Sequence, residues 1–208
     1  MPRTAIDLSA LVSSRICHDL SSPIGAINNG VELVASLGGA PAAELDLISQ
    51  SAAAANAKLR FFRIAFGGTR NHAEIAAAEI RTLCRDVFDG GRLNIDARLG
   101  TGTVTRDQAK TLLLLVLCLE SALPLGGHVH IERASGGWRF SGEGTRVHMD
   151  PDLWSLLCDG RRTDLIGAPQ VHFALARRML EEGGIGIATD IRPNGVEIRL
   201  HRTGSGRA

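Results

Sequence analysis

The strongest constraint on the fold is an apolar stripe at the start of the chain. Ala10, Ser13, Cys17, Leu20, Ile24, Ile27, Val31 and Val34 recur at alternating intervals of three and four residues. That is the period of one face of a bundle helix. Pro23, Gly25 and Gly30 are the only helix breakers between residues 6 and 36. Leu37-Gly38-Gly39-Ala40-Pro41 has the chemistry of a turn, with glycines ending one helix and proline opening the next. Residues 42–66 then repeat the stripe with Leu45, Ile48, Ala52, Ala55, Leu59, Phe62 and Phe66. The first 66 residues therefore read as an antiparallel helical hairpin. Two helices cannot bury both their faces, and Ile6, Leu8, Leu11, Leu33 and Leu37 fall outside the stripe. Two copies would close into a four-helix bundle, so a homodimer is expected. The alternative is that the rest of the chain covers the hairpin.

Gly67-Gly68-Thr69-Arg70-Asn71-His72 reads as a linker, and the period changes beyond it. Helices are expected over 73–88, Thr105–Leu123, 151–158 and 168–182. Strands are expected at Leu93–Arg98, His128–Arg133 and Trp138–Ser141. Ile185–Arg192 and Val196–Arg202 pair as a hairpin around Pro193-Asn194-Gly195. Helices and strands mix without a strict βαβ rhythm. The expected class is α+β: a helical hairpin over residues 1–69, then an α/β two-layer sandwich over 70–208 with helices on one face of a single sheet.

Composition narrows the partners. A net charge of +1 gives neither a nucleic-acid grip nor a polybasic membrane patch. Aromatics make up 4% of the chain, with no tyrosine, too few for a base-stacking surface. The longest apolar run, Leu112 to Leu119, ends at Glu120, well short of the roughly 20 residues that span a bilayer. The first residues lack the apolar core of a signal peptide, so a cytoplasmic location is expected. Cys17, Cys84, Cys118 and Cys158 are widely spaced among apolar neighbours and read as buried free thiols. No metal site is expected, since His128 and His130 share a strand face without an evident third ligand. Trp154 reads as core, and Arg161-Arg162 and Arg177-Arg178 as solvated positions or as an edge that touches a partner.

Of the seven histidines, His18 has the most telling surroundings. It borders the apolar stripe and shares a face with Ser14, Ser22, Gly25 and Asn29, which are small or polar. That leaves an imidazole clear of bulky neighbours. Asp19 can hold one ring nitrogen and keep the other nucleophilic. Arg15, one turn back, can offset negative charge gained on the ring. Pro23 removes a backbone donor and predicts a bend just past the histidine. On these grounds alone His18 is either a rim histidine without special role or a reactive imidazole.

Arg15-Ile16-Cys17-His18-Asp19-Leu20-Ser21-Ser22-Pro23-Ile24 resembles the H-box of sensor histidine kinases: a histidine, an acidic residue, and a proline five residues on. The resemblance implies that His18 accepts a phosphoryl group and passes it on, with Asp19 as acid/base helper. It also implies a second domain resembling the kinase ATP-binding domain. The landmarks of that domain are eroded. Leu117 and Ser121 stand where two asparagines would hold magnesium and phosphates. Phe140-Ser141-Gly142-Glu143-Gly144 lacks the adenine-reading aspartate, and Asp164-Leu165-Ile166-Gly167-Ala168-Pro169-Gln170 has one glycine where a phosphate loop would have several. The combination is similar to the alphaproteobacterial cell-cycle histidine phosphotransferases of the ChpT type. His18-Asp19-Leu20-x-Ser22-Pro23 and Phe62-x-x-Ala65-Phe66-Gly67 carry that likeness, which spans nearly the whole chain.

The resemblance implies a shuttle. A receiver aspartate of a hybrid histidine kinase donates to His18, and His18 donates to response regulators. The chain itself binds no cofactor, and magnesium belongs to the receiver. Lys58, Arg60 and Arg63 lie opposite His18 on helix two; a cation among them, Arg60 and Arg63 foremost, faces the phosphoryl group or the partner, or else the three form a solvated face. Two rival functions remain at this stage: an active ATP-dependent histidine kinase, and a non-catalytic dimeric adaptor that binds receivers.

Overall fold

In the computed structural model, residues 7–37, 42–68, 73–134, 136–161 and 166–203 are described. Two long helices open the chain. Helix α1, Leu8–Leu37, starts where Asp7 Oδ1 accepts the backbone N–H groups of Ser9 and Ala10, at 3.0 and 3.1 Å. Helix α2, Ala42–Ala65, runs back against it. The two approach closely at Gly30, where a Cβ would lie 2.6 Å from Ile48 Cγ1. The turn read at Gly38–Pro41, together with Ile6, lies outside the described residues, as does the side chain of Leu37.

The helices stand where the period put them, but the stripe that packs within the chain is a different one. Ala10, Ser13, Cys17, Ile24 and Val31 are exposed. The inward face of α1 carries Val12, Ile16, Asp19, Pro23 and Gly30. The reason is that α1 is apolar on two sides, and α2 and the second domain take the second. Leu8, Leu11, Val12 and Ile16 pack against the core of the sandwich, so the second domain does cover the first turns of the hairpin. Ile24, Val31 and Leu33 on α1 and Leu45, Leu47 and Leu59 on α2 stay exposed. The expectation of four buried thiols is corrected with the stripe: Cys84 and Cys118 are buried, Cys158 is half-buried, and Cys17 is exposed on the open side of α1.

The end of α2 belongs to the second core. Phe61, Phe62, Ile64 and Ala65 are buried there, with Phe61 edge-on to Phe88 at 5.9 Å. Gly67 and Gly68 are held rather than free. Lys110 Nζ donates to the Gly67 carbonyl at 2.7 Å, and Arg106 donates to the carbonyls of Gly68 and Arg63 at 3.3 Å. Arg106 thus caps a carbonyl in the last turn of α2, and the two cations together hold the glycines that follow it. A side chain at Gly67 would meet the Arg63 carbonyl at 2.1 Å. The remainder of the linker, Thr69–His72, lies outside the described residues.

The sandwich runs β1 (Glu74–Ala76), α3 (Ala77–Phe88), β2 (Leu93–Arg98), β3 (Thr103–Thr105), α4 (Arg106–Ala122), β4 (Gly127–Ala134), β5 (Gly137–Glu143), α5 (Pro151–Asp159), a 3-10 turn (Ala168–Gln170), α6 (Val171–Glu182), β6 (Ile185–Arg192) and β7 (Gly195–Arg202). Residues 74–76 form a strand, not the start of a helix. Ile75 is buried opposite Val104 in a two-stranded ladder with β3, and the helix begins only at Ala77. Helix α4 opens with a reciprocal cap between Thr105 and Gln108. The five-stranded sheet has the order β2-β4-β5-β7-β6, with β2 parallel to β4 and every other pair antiparallel.

Val129, Ile131, Phe140 and Ile198 point from the sheet into the core under α4 and α6. The opposite face is polar, with His128, His130, Glu132 and Arg139, and with Glu197 bracketed by Arg139 and Arg199. This is the expected two-layer sandwich. Trp154 is buried against Phe173. No described helix is long and apolar enough to cross a membrane.

Candidate functional site

One point in the fold brings α1, α2 and the second domain together, and it is Asp19. Consecutive helical residues point about 100° apart. His18 therefore turns outward, with 84% of its side chain exposed, while Asp19 turns into the junction with 15% exposed. The ring still reaches back: His18 Nδ1 lies 2.9 Å from Asp19 Oδ1. The other carboxylate oxygen, Oδ2, accepts from Arg15 Nε at 2.6 Å. Arg15 Nη1 donates in turn to the Pro169 carbonyl of the second domain at 2.6 Å.

Pro23 completes the arrangement. It has no N–H to give the carbonyl four residues back, which is that of Asp19. Lys58 Nζ on α2 donates to that carbonyl instead, at 3.1 Å. The break that proline makes in the ladder is thus the reason a cation from α2 sits beside Asp19.

An ionised carboxylate only accepts hydrogen bonds. With Asp19 on Nδ1, the proton stays on that nitrogen, and Nε2 carries the free lone pair. Nε2 faces solvent, open to an incoming electrophile. Positive charge that develops on the ring during attack is met by the same carboxylate.

Two cavities flank the junction behind His18. One, of about 380 Å³, is lined by Arg15, Asp19, Lys58, Arg92 and Glu120 over a floor that includes Phe61 and Phe62. The other, of about 370 Å³, shares Arg15, Arg92 and Glu120 and continues to Ser121, Trp154 and Gln170. Burial pushes the Glu120 carboxyl above the usual carboxylate range, against the pull of Arg15 and Arg92. Arg92 approaches it at 3.8 Å. Ser121 Oγ lies 3.1 Å from Nε2 of the buried His172. Burial, with Arg15 nearby, pushes His172 down to about 3, so this imidazole is neutral.

The remaining sequence candidates divide. Ser14, Ser22 and Asn29 are exposed and Gly25 is half-buried, on the side of α1 that carries His18. A Cβ on Gly25 would meet no atom within 4 Å, so packing within the chain does not demand glycine there. Arg15 lies one turn before His18, with its guanidinium between the Asp19 carboxylate and the Pro169 carbonyl. Arg60 and Arg63 point elsewhere within the chain. Arg60 faces Asp86 at 4.0 Å, two positions and about 200° around α2 from Lys58. Arg63 is exposed beside the joint with α4, where its carbonyl accepts from Arg106. Lys58 is the cation of the three that reaches the H-box, and the orphaned Asp19 carbonyl was the sequence signal for it.

The Pro169 carbonyl had no sequence signal, being a backbone group from a distant turn. Arg161 and Arg178 are exposed and pair with Asp159 and Glu182, while Arg177 is half-buried, pairing with Glu181 and donating to the Cys158 carbonyl at 3.0 Å. Arg162, Asp164 and Leu165 lie outside the described residues. His130 faces Asp96 at 3.4 Å, and among the described residues no group of three or more His, Cys, Asp or Glu is placed to hold a metal ion.

Known proteins share this architecture. Residues 77–195 match the family model of the histidine phosphotransferase C-terminal domain. Protein phosphotransferase ChpT of Brucella abortus (strain 2308) is 32% identical over 190 residues, covering 89% of this chain and 90% of that protein. A bacterial phosphotransferase solved at 1.7 Å superposes with a TM-score of 0.77 at 30% identity, over 97% of this chain and 98% of that one.

Proposed function

The chain belongs to the histidine phosphotransferase family, and on that premise we propose that His18 is the residue that takes up and hands on the phosphoryl group. The observation that carries this is the pairing of an exposed ring with a held Nδ1: Asp19 fixes one nitrogen and leaves Nε2 open. A receiver domain presents an aspartyl phosphate. Nε2 attacks phosphorus in line, the N–P bond forms, and the bond from phosphorus to the aspartyl oxygen breaks, so a carboxylate leaves. The proton stays on Nδ1 against Asp19. Return to a second receiver is the same step reversed.

The receiver supplies its own magnesium and carboxylates, and this chain binds no cofactor. It contributes a positioned imidazole, Asp19 beneath it and the open face of Ser14, Ser22, Gly25 and Asn29 for the partner. The donor is the receiver of a hybrid histidine kinase and the acceptors are response regulators, in the cytoplasm and in a cell-cycle circuit of the ChpT type. Two copies pair through the exposed apolar rows of the hairpin. Leu117 and Ser121, in place of paired asparagines, support transfer without ATP.

The test is transfer of radiolabel from a phosphorylated receiver. Wild type takes up label and His18→Ala does not, while circular dichroism shows the variant folded. Label retained on His18→Ala overturns the assignment. Label taken from ATP without any receiver would make the protein a kinase. Receiver binding without label from either donor would make it an adaptor.

A further inference from the structure

We infer that the second domain positions the phosphotransfer histidine through Arg15, which bridges the Pro169 carbonyl and the Asp19 carboxylate; the inference rests on His18 being the acceptor. Arg15 is a residue of the hairpin, largely buried, whose two donors point in different directions. Nη1 is anchored on a backbone group 154 positions away, and Nε holds Asp19 Oδ2. Oδ1 is then the oxygen left for His18 Nδ1. The two oxygens of one carboxylate are divided between the anchor and the ring.

The anchor is itself fixed. Proline restricts the backbone at 169. Its 3-10 turn is clipped twice, by the Gln170 N–H to the Gly167 carbonyl at 3.1 Å and the Gly167 N–H to Gln170 Oε1 at 3.3 Å. The turn leads directly into α6, whose His172 is buried against Ser121 of α4. Helix α4 also grips the end of α2 through Lys110 and Arg106. The carbonyl therefore stands at a set place relative to the hairpin.

Without this tether the Asp19 carboxylate has other cations to turn to. The Lys58 ammonium is already bonded to the carbonyl of the same residue, and Arg92 lines the same cavity. A carboxylate that swings to either one leaves Nδ1, and the ring loses its fixed tautomer and rotation. Only arginine spans both partners, since lysine offers one point charge where the guanidinium offers a planar fork. Arg15 is on this account a positioning residue acting through Asp19.

The experiment uses the full chain and a readout that needs no phosphate. Nitrogen-15 spectra of the His18 imidazole report which ring nitrogen carries the proton. Wild type is expected to hold the Nδ1–H form. Arg15→Lys and Arg15→Gln should lower the ratio of Nδ1–H to Nε2–H about tenfold, the scale of one charge-assisted hydrogen bond. They should slow receiver-to-His18 transfer by about 10- to 100-fold, with receiver affinity unchanged. Pro169→Gly, which loosens the anchor and keeps the carbonyl, should move the tautomer ratio the same way and add nothing on top of Arg15→Gln.

The inference is overturned if both Arg15 variants keep the wild-type ratio. It is also overturned if Pro169→Gly has no effect, or a fully additive one, since Arg15 then acts within α1 alone. Arg15→Lys retains the helix charge and tests the idea even if Arg15→Gln fails to fold. A tautomer shift as expected, in a protein whose His18 takes no phosphoryl group from any receiver, supports the positioning and overturns the functional reading instead.

Discussion

His18 and Asp19 are adjacent, yet one faces solvent and the other faces the junction, and the site depends on that split. Asp19→Asn keeps the shape and removes the charge. An amide no longer commits Nδ1 to carry the proton or balances the phosphorylated ring. Initial rates of label transfer should fall about 100-fold; an unchanged rate would show that Asp19 only packs. His172 gives a second test at this scale. Its native value of about 3 lies below the unfolded value of roughly 6.5. Between the two, the unfolded chain holds a proton that the native one does not, so stability present above pH 6.5 is lost as pH falls. The slope is at most about 1.4 kcal/mol per pH unit. His172→Gln keeps a partner for Ser121 and does not titrate. Urea unfolding at pH 7 and pH 5 should show wild type losing about 1–2 kcal/mol more than the variant; equal losses would mean His172 is protonated in the fold. Glu120, raised by burial, works the opposite way, losing stability as pH rises, and is common to both proteins. Of these residues, the contact of His18 with Asp19 was legible because the two are adjacent in the chain. The contact of Arg15 with the second domain was not legible, because its partner is a backbone carbonyl 154 positions on.

At the level of elements, the sequence was read better for period than for face. Helix α1 was found from its spacing of three and four, but both its sides are apolar, and only tertiary contacts decide which is covered. The β6–β7 hairpin was legible because Pro193-Asn194-Gly195 demands a turn. Strands β1 and β3 were not, because three residues are too few to show alternation. Gly30 offers a test of how the hairpin packs. Alanine in place of glycine in a helix is worth about 1 kcal/mol by propensity. Here a Cβ would press on Ile48 Cγ1 at 2.6 Å, and overpacking of that kind costs about 1–3 kcal/mol. Gly30→Ala should therefore lower the thermal midpoint. In an Ile48→Ala background, where the space is open, the same change should raise it. The same sign in both backgrounds would show that the helices do not meet at this point.

On the scale of the whole molecule, six of the eight exposed large hydrophobic side chains among the described residues lie on the hairpin: Ile24, Val31, Leu33, Leu45, Leu47 and Leu59. Among the described residues, the second domain covers the first turns of α1, around Leu8 to Ile16, and grips the end of α2. It leaves these six side chains open. Rows of that kind on two antiparallel helices are the half-core of a four-helix bundle. A net charge of +1 sets no long-range repulsion against a second copy. His18 is on the open side of α1 and the turn of α1 carries its neighbours Ser14 and Ser22 outward as well. In the proposed pairing, Val31 and Leu59 belong to the rows that would meet a second copy. Val31→Glu and Leu59→Glu place a charge where each side chain is about half exposed, so the folded monomer tolerates them. In a dimer the same charges would be buried without a partner, at a cost of several kcal/mol each. Light scattering after gel filtration should give wild type at twice the 22.1 kDa chain mass and the double variant at that mass, with the circular dichroism of the two alike. Wild type running at the single mass, or the double variant staying paired, would show that these rows are not the contact between copies.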